Sequence, residues 1–279
     1  MAYTISRSTA LINGLVRGYG VRELLRDGRI YVYNGTQPAT ADLTVAGTNL
    51  GIYTTSGGTY GSPTRANCKL TFADGVVNDA VTSIKVGGMG ENLLGASVAF
   101  STNAQTTAVL VAAAVNANQN ALNITAVAGF PGTADVTLYC PYWVGANGNN
   151  LTLVAVITQT GGGTLTVDVQ GVGSPGTTEA GVFASGVTAQ NGLNWLYAVA
   201  SGVIAKETAV WQMTAIATGN ASYFRFVAGG STHDGVSGAD IRFDGSVGVN
   251  TSDMTVSSNS IVAGAIYTIN TGTIAELVA

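Results

Sequence analysis

Short runs of β-branched and aromatic residues, each closed by a glycine or an Asn-Gly pair, recur along most of this chain. Ile30-Tyr31-Val32-Tyr33, ending at Asn34-Gly35, sets the pattern, since that dipeptide favours the tight turn between antiparallel strands. Further strands are expected at Leu122–Ala128, Val136–Cys140, Leu151–Ile157, Leu165–Val169, Ile204–Lys206, Trp211–Ala217, Tyr223–Val227, Ile241–Val249 and Ala265–Ile269. The 38 glycines accompany only 5 prolines and no Gly-X-Y period, so they mark turns and not a collagen repeat. Short strands at near-regular spacing close into a sandwich or barrel.

Two segments break the strand rhythm. After Ser8, a plausible N-cap, Leu11, Ile12, Leu15 and Val16 share one helical face. Gly18 and Gly20 interrupt the pattern, Val21, Leu24 and Leu25 resume it, and Gly28 stands where a C-terminal cap glycine belongs. One broken helix or two short ones are expected, laid on a sheet. Within Thr71–Val187, Ile84–Val86 and Val98–Phe100 read as strands, and Thr102–Asn118 reads as a helix through Ala104, Ala108, Val111 and Val115. Gly145–Asn150 and Gly161–Gly163 read as turns. The fold class that follows is mainly β. Residues 1–70 with 188–279 form a discontinuous β-sandwich or barrel-like domain carrying the N-terminal amphipathic helix, and 71–187 an inserted, smaller, β-rich α+β domain with one helix.

Charge narrows the function classes. Charged residues are 9% of the chain, against about 25% in an ordinary soluble domain. The outside is therefore covered by neutral Thr, Ser, Asn and Gly, or by partner subunits. A net charge of −4 without a basic run disfavours a nucleic-acid partner. The longest apolar stretch, Ala108–Val115, is too short to span a bilayer, and the first residues lack a basic region followed by an apolar block. No membrane partner and no secretory leader are expected.

Candidate chemistry is sparse. Cys68 and Cys140 are the only cysteines; they lack metal spacing and read as buried thiols, with a disulfide as the alternative. His233-Asp234 is the one adjacent His–carboxylate pair, with Ser231 and Ser237 nearby, but no Gly-x-Ser-x-Gly elbow presents a nucleophile. Asp234, Asp240 and Asp244 lack calcium-loop spacing, and Gly87-Gly88-Met89-Gly90 lacks the Lys-Ser/Thr of a phosphate loop. No catalytic residue, metal site or cofactor is expected. Trp143, Trp195 and Trp211 lie in or beside apolar strand patterns and read as packing residues. Tyr142-Trp143, beside a Gly/Asn loop, is the exception and a candidate contact hot spot. The second candidate interface is the N-terminal helix, Leu11, Ile12, Leu15 and Val16 with Arg22, where 4 of the 11 basic residues fall in the first 26 positions. That helix either docks a partner or closes the end of its own domain.

Several ordered motifs resemble a family of tailed-phage virion proteins: Tyr33-Asn-Gly-Thr-Gln-Pro-Ala-Thr-Ala-Asp42, Ala217-Thr-Gly-Asn-Ala-Ser-Tyr-Phe-Arg-Phe226, Gly238-Ala-Asp-Ile241, Gly245-Ser-Val-Gly248 and Ser260-Ile-Val-Ala-Gly264. In the pattern of that family Gly-Ala-Asp follows Gly-Ser-Val-Gly, whereas here it precedes it. The middle section resembles a module that recurs in phage structural proteins, through Ser97–Phe100, Ala104–Asn118, Asn123–Ala126 and Gly145–Asn149. The resemblance implies a non-enzymatic virion component. Low charge and neutral strands suit a capsid decoration or cement protein, whose many copies each add a modest apolar contact to a repeated lattice. Its partners would be the major capsid protein or other virion proteins and further copies of itself, with a trimer favoured. A tail, collar or fibre-base protein is the alternative within the virion, and a host-surface glycan-binding module the alternative outside that class.

Overall fold

A computed structural model describes residues 5–16, 20–76, 78–87, 91–118, 123–129, 132–160, 162–170, 175–197, 203–250 and 252–275, without the side chains of 143, 197, 203 and 275. The described chain is mainly β, 39% strand against 13% helix, in several antiparallel sheets. It divides into two compact units, 1–63 with 189–279, and 64–188.

Unit 1 is organised by one large sheet. Its strands run in the order Ser6–Arg7, Arg242–Gly248, Tyr223–Val227, Arg29–Tyr33, Asn49–Thr55, Trp211–Thr214, Ile266–Ile269, with Met254–Thr255 beside Arg242–Gly248. Register fixes its two faces, because side chains alternate across a pleated strand. Tyr223 pairs with Tyr33 and Ser246, Arg225 with Tyr31 and Asp244, and Val227 with Arg29 and Arg242. One face therefore gathers arginines, tyrosines and an aspartate. The intervening residues Ile30, Val32, Phe224, Phe226, Phe243 and Val247 form the other face, and all are buried. There Phe226 stacks on Phe243 at 5.1 Å, and Trp195 meets Trp211 edge-on at 4.9 Å.

Two short helices, Thr9–Val16 and Val21–Leu24, belong to this unit. Ser8 Oγ accepts the Leu11 N–H at 3.2 Å, so Ser8 is the N-cap. The left-handed residue after the second helix is Asp27 (φ 55°), not Gly28. Gly28 instead bridges to Leu193, and a Cβ there would come within 2.2 Å of the Phe226 ring. It is a close-packing glycine and not the cap inferred from its position.

Unit 2 holds two four-stranded antiparallel sheets, Val167–Val169, Asn67–Phe72, Asp135–Tyr139, Thr125–Ala128 and Thr178–Val182, Thr152–Thr158, Ala80–Val86, Val98–Ala99. The helix Ala104–Ala117 starts at Asn103, whose Oδ1 accepts the Thr106 N–H at 2.8 Å. One aliphatic core draws Leu70, Leu138 and Val167 from the first sheet, Ile84 and Leu153 from the second, and Ala108, Val111 and Val115 from the helix. The residue-70 boundary expected from sequence cuts the strand Asn67–Phe72, which lies wholly in this unit. Gly145 sits inside a 3-10 segment, Tyr142–Gly148, kinked at its φ of 49°, where a simple turn was expected. Asn49–Thr55, Asn67–Phe72 and Thr178–Val182 are strands that the sequence pattern did not bring out. Among the described residues no helix is long and apolar enough to cross a membrane.

Candidate functional site

The polar face of the unit 1 sheet is the most chemically loaded part of the described molecule. Arg225, fully buried, makes a two-pronged pair with the equally buried Asp244, Nε to Oδ1 and Nη2 to Oδ2, both at 2.7 Å. Its remaining Nη1 donates to the carbonyls of Leu43 at 2.9 Å and His233 at 3.1 Å. Arg242, two residues before Asp244, donates to the carbonyls of Gly235 and Asp234, to Thr232 Oγ1, and to the Asp240 carboxylate. Arg29 donates through Nε to the Tyr31 hydroxyl at 2.7 Å and through Nη2 to the Ser231 carbonyl at 2.9 Å, and it lies 4.2 Å from the Tyr60 ring centre. The three guanidinium groups thus hold the 229–240 loop by its main-chain oxygens.

A second loop, 41–48, is held the same way. The Tyr223 hydroxyl donates to the Ala46 carbonyl at 2.8 Å and accepts the Ala46 N–H at 2.9 Å. Asp42 accepts the Thr9 N–H with both carboxylate oxygens at 3.0 Å, and its carbonyl accepts the Ser237 N–H at 2.9 Å. Asp234 Oδ1 accepts the Val45 N–H at 3.2 Å, so the two loops are tied to each other as well as to the sheet.

Electrostatics follow from this packing. Burial alone would weaken the Arg225 charge, but the hydrogen bonds and charge of Asp244 outweigh it and hold the guanidinium above its usual range. Asp240 is opposed by burial, yet its bonds from Thr232 and the neighbouring Arg242 hold it below the usual carboxylate range. Burial, reinforced by three nearby arginines, pushes His233 below its ordinary value, with only Asp234 opposing, so its ring is neutral at pH 7. That ring stacks on Tyr31 at 4.4 Å. Ser231 Oγ accepts the Ile241 N–H, Ser237 Oγ the Ala239 N–H, and the Asp234 carboxylate the N–H groups of Gly235 and Val45. These atoms shape loops; a nucleophile–base–acid relay needs them aimed at one another. Among the described residues no group of three or more His, Cys, Asp or Glu could hold a metal ion.

The residues singled out from sequence scatter. The helical face drawn through Leu11, Ile12, Leu15 and Val16 is split. Leu11 is fully buried and Leu15 half-buried, while Ile12 and Val16 are 45% and 82% exposed. The helix packs through Gly14, where a Cβ would come within 2.7 Å of Leu24, which turns Ile12 and Val16 to solvent. Arg22 Nε donates to the Trp195 carbonyl at 2.9 Å. Tyr142, 39% exposed, lies 5.2 Å from the Arg65 guanidinium, which also covers Tyr139. The side chain of Trp143 lies outside the described residues. Trp195 and Trp211 are core residues. Both cysteines are free and buried, and burial pushes each thiol up to about 11.

The sequence reading passed over Arg29, Arg225, Arg242 and the Asp244 pairing. A signal was present: in Tyr-Phe-Arg-Phe-Val and Arg-Phe-Asp a charge alternates with aromatics inside a strand, which marks a buried ion pair or a wet face. Asp79 in unit 2 was also missed. It is fully buried, and its carboxylate accepts the N–H groups of Val76, Thr160, Thr164 and Leu165 at 3.0 to 3.1 Å. No family model, curated protein or solved structure matches the chain.

Proposed function

We propose that this chain is a non-enzymatic structural component of a phage particle, a decoration or cement protein that stabilises the capsid through repeated protein contacts. The observation that carries the reading is where the charge goes. Of only 11 basic residues, Arg29, Arg225 and Arg242 are spent inside unit 1 holding its own loops. The outside is left poorer in charge than the composition alone implies, and it displays Val16, Ile216, Val236 and Ile266 at 82, 65, 77 and 62% exposure. A neutral, aliphatic-studded surface suits close packing among many like subunits. Three of the phage-like segments also meet in space: Tyr33 opens the first, Tyr223–Phe226 ends the second, and Gly245–Gly248 lies on the next strand, all on adjacent strands.

In this reading unit 1 is the sandwich-like domain, unit 2 is the inserted β-rich module, and the partners are the major capsid protein or other virion proteins together with further copies of the chain. The test is quantitative mass spectrometry of purified particles. A copy number comparable to the major capsid protein supports the decoration role. A number near that of tail or collar parts moves the chain to those structures, and its absence from particles overturns the reading.

A further inference from the structure

The large sheet of unit 1 ends, among the described residues, at Ile266–Ile269, which pairs only with Trp211–Thr214. Every second N–H and C=O of a strand in that position points away from its one neighbour. Proteins blunt such edges with lysine, proline, a bulge or a covering loop. Here the sequence from Met254 to Ala275 contains no charged residue and no proline. The pairing of Ile266–Ile269 with Trp211–Thr214 is regular, without a register shift. Apolar side chains surround the edge. Ile266 is 62% exposed, and Ile216 and Val262, 65% and 54% exposed, lie at the hairpin end where the Ala215 N–H meets the Ala265 carbonyl at 2.9 Å.

We propose that this edge pairs antiparallel with the same edge of a second copy of the chain, continuing the sheet from one subunit into the next. The backbone selects a β-strand as occupant, because only a strand supplies alternating donors and acceptors at the right spacing. Charge selects a copy of itself. An antiparallel twofold contact pairs residue i with j and j with i, so a charge near the axis would face its own like charge, and this strand carries none. Isoleucines flanking the joined strands would be covered in the same step, adding apolar burial to the ladder. The pairing is twofold, so it links two copies whether they are otherwise single or grouped about a threefold axis. It deepens the particle reading but stands apart from it: an isolated protein that pairs through this edge yet is absent from particles would sink only the decoration role, and the reverse result would sink only the pairing.

The experiment is sedimentation or light-scattering mass across a concentration series extending to high micromolar. The wild type is compared with Ile266→Lys/Thr268→Lys and with Thr268→Val, each checked for fold by circular dichroism. The wild-type mass is expected to be twice that of the double lysine variant, and Thr268→Val, which keeps the edge neutral, to match the wild type. A wild type with the same mass as the lysine variant at every concentration overturns the proposal, as does a dimer that survives both lysines or is lost with valine. Hydrogen exchange of a peptide covering 262–270 in wild-type protein gives an answer that does not depend on the variants folding. Slower exchange in concentrated than in dilute solution is expected, and identical exchange overturns the pairing.

Discussion

The polar sheet face of unit 1 and the core of unit 2 are both built on antiparallel strands, yet they treat buried charge in opposite ways. Unit 1 buries Arg29, Arg225, Arg242, Asp27 and Asp244. Its cations reach carboxylates and loop carbonyls, so a charged side chain organises the main chain of distant loops. In unit 2 the one buried charged side chain among the described residues is Asp79, and there the main chain organises the charge: four N–H groups converge on one carboxylate. The rest of that core is aliphatic with two thiols and few aromatics. A buried ion pair adds little stability over a well-packed apolar pair, but losing one partner strands the other charge. Unit 1 should therefore be brittle to single polar substitutions, and unit 2 to lost volume.

The sharpest way to break that comparison is Arg225→Met. It leaves Asp244 buried without its partner, and a loss of about 3–5 kcal/mol is expected. Denaturant unfolding followed by fluorescence of Trp195 and Trp211, in a Trp143→Phe background, measures it. The double variant Arg225→Met/Asp244→Leu should recover most of the loss. If the double is as unstable as the single, the pair is not what makes unit 1 brittle.

The counterpart is Leu138→Ala in unit 2, where the side chain is fully buried in the aliphatic core. Removing its methyl groups should cost about 2–5 kcal/mol, depending on how far the cavity collapses. The thiols of Cys68 and Cys140 report it. Burial pushes both up to about 11, so at pH 8 they are protonated and shielded, and label only when the unit opens. Labelling should accelerate strongly in Leu138→Ala and stay near the wild-type rate in Arg225→Met. Equal acceleration in both would mean the units do not open separately.

Legibility differed between the units for physical reasons. Tyr223–Val227 was read to the residue, and the helix Ala104–Ala117 fell within the expected 102–118, because local periodicity and turn residues specify both. Asn49–Thr55 was missed; Gly51, a residue of low strand propensity, interrupts its run. In the fold that glycine makes room for Met213, whose Sδ would lie 2.6 Å from a Cβ there. Thr178–Val182, Thr-Glu-Ala-Gly-Val, has little strand propensity of its own and exists through its pairing with Thr152–Thr158. The polar face was half legible: the alternating charges of Tyr223–Val227 and Arg242–Asp244 are in the sequence, but their pairing depends on a strand register that the sequence does not display. Asp79 was illegible, since three of its four donors come from Thr160, Thr164 and Leu165, some eighty positions away.

A subtler difference should appear with pH. Burial disfavours the Asp79 anion, but its four backbone donors outweigh that and hold the carboxyl below its usual 3.8. Its contribution to unit 2 is therefore fully present above pH 3.8 and is lost as pH falls through the lower folded value. Asp27 in unit 1 runs the other way. Burial raises it, with Glu207 adding to the shift and Arg26 and Asn194 opposing it, so unit 1 gains as the pH drops through that raised value. Asp79→Asn should destabilise unit 2 at neutral pH and remove its contribution to the acid transition, whereas Asp27→Asn should leave unit 1 as stable or more stable. Thermal melts at pH 7 and below pH 4 distinguish these outcomes, and a neutral result for Asp79→Asn at pH 7 would remove the carboxylate from the account of unit 2.

The smallest effect separates the two helix caps. Asn103 begins the unit 2 helix by accepting the Thr106 N–H at 2.8 Å, and Asp74 takes the Ala104 N–H at 2.7 Å, so the exposed end keeps a second acceptor if Asn103 is lost. Asn103→Ala should cost about 1 kcal/mol, and Asn103→Gly only a few tenths, because the backbone of that position is extended and water can replace the side chain. Ser8, the unit 1 cap, is fully buried, and its Oγ also accepts the Arg242 N–H at 3.0 Å. Ser8→Ala leaves that strand donor unpaired away from water, which adds a desolvation cost to the lost cap. The same chemical change should thus be worse at Ser8 than at Asn103. Urea midpoints for the two alanine variants, read by tryptophan fluorescence for Ser8 and thiol labelling for Asn103, decide it. If Asn103→Ala is the costlier, the polar links of unit 1 are not its weak point, and the contrast between the units must rest on packing alone.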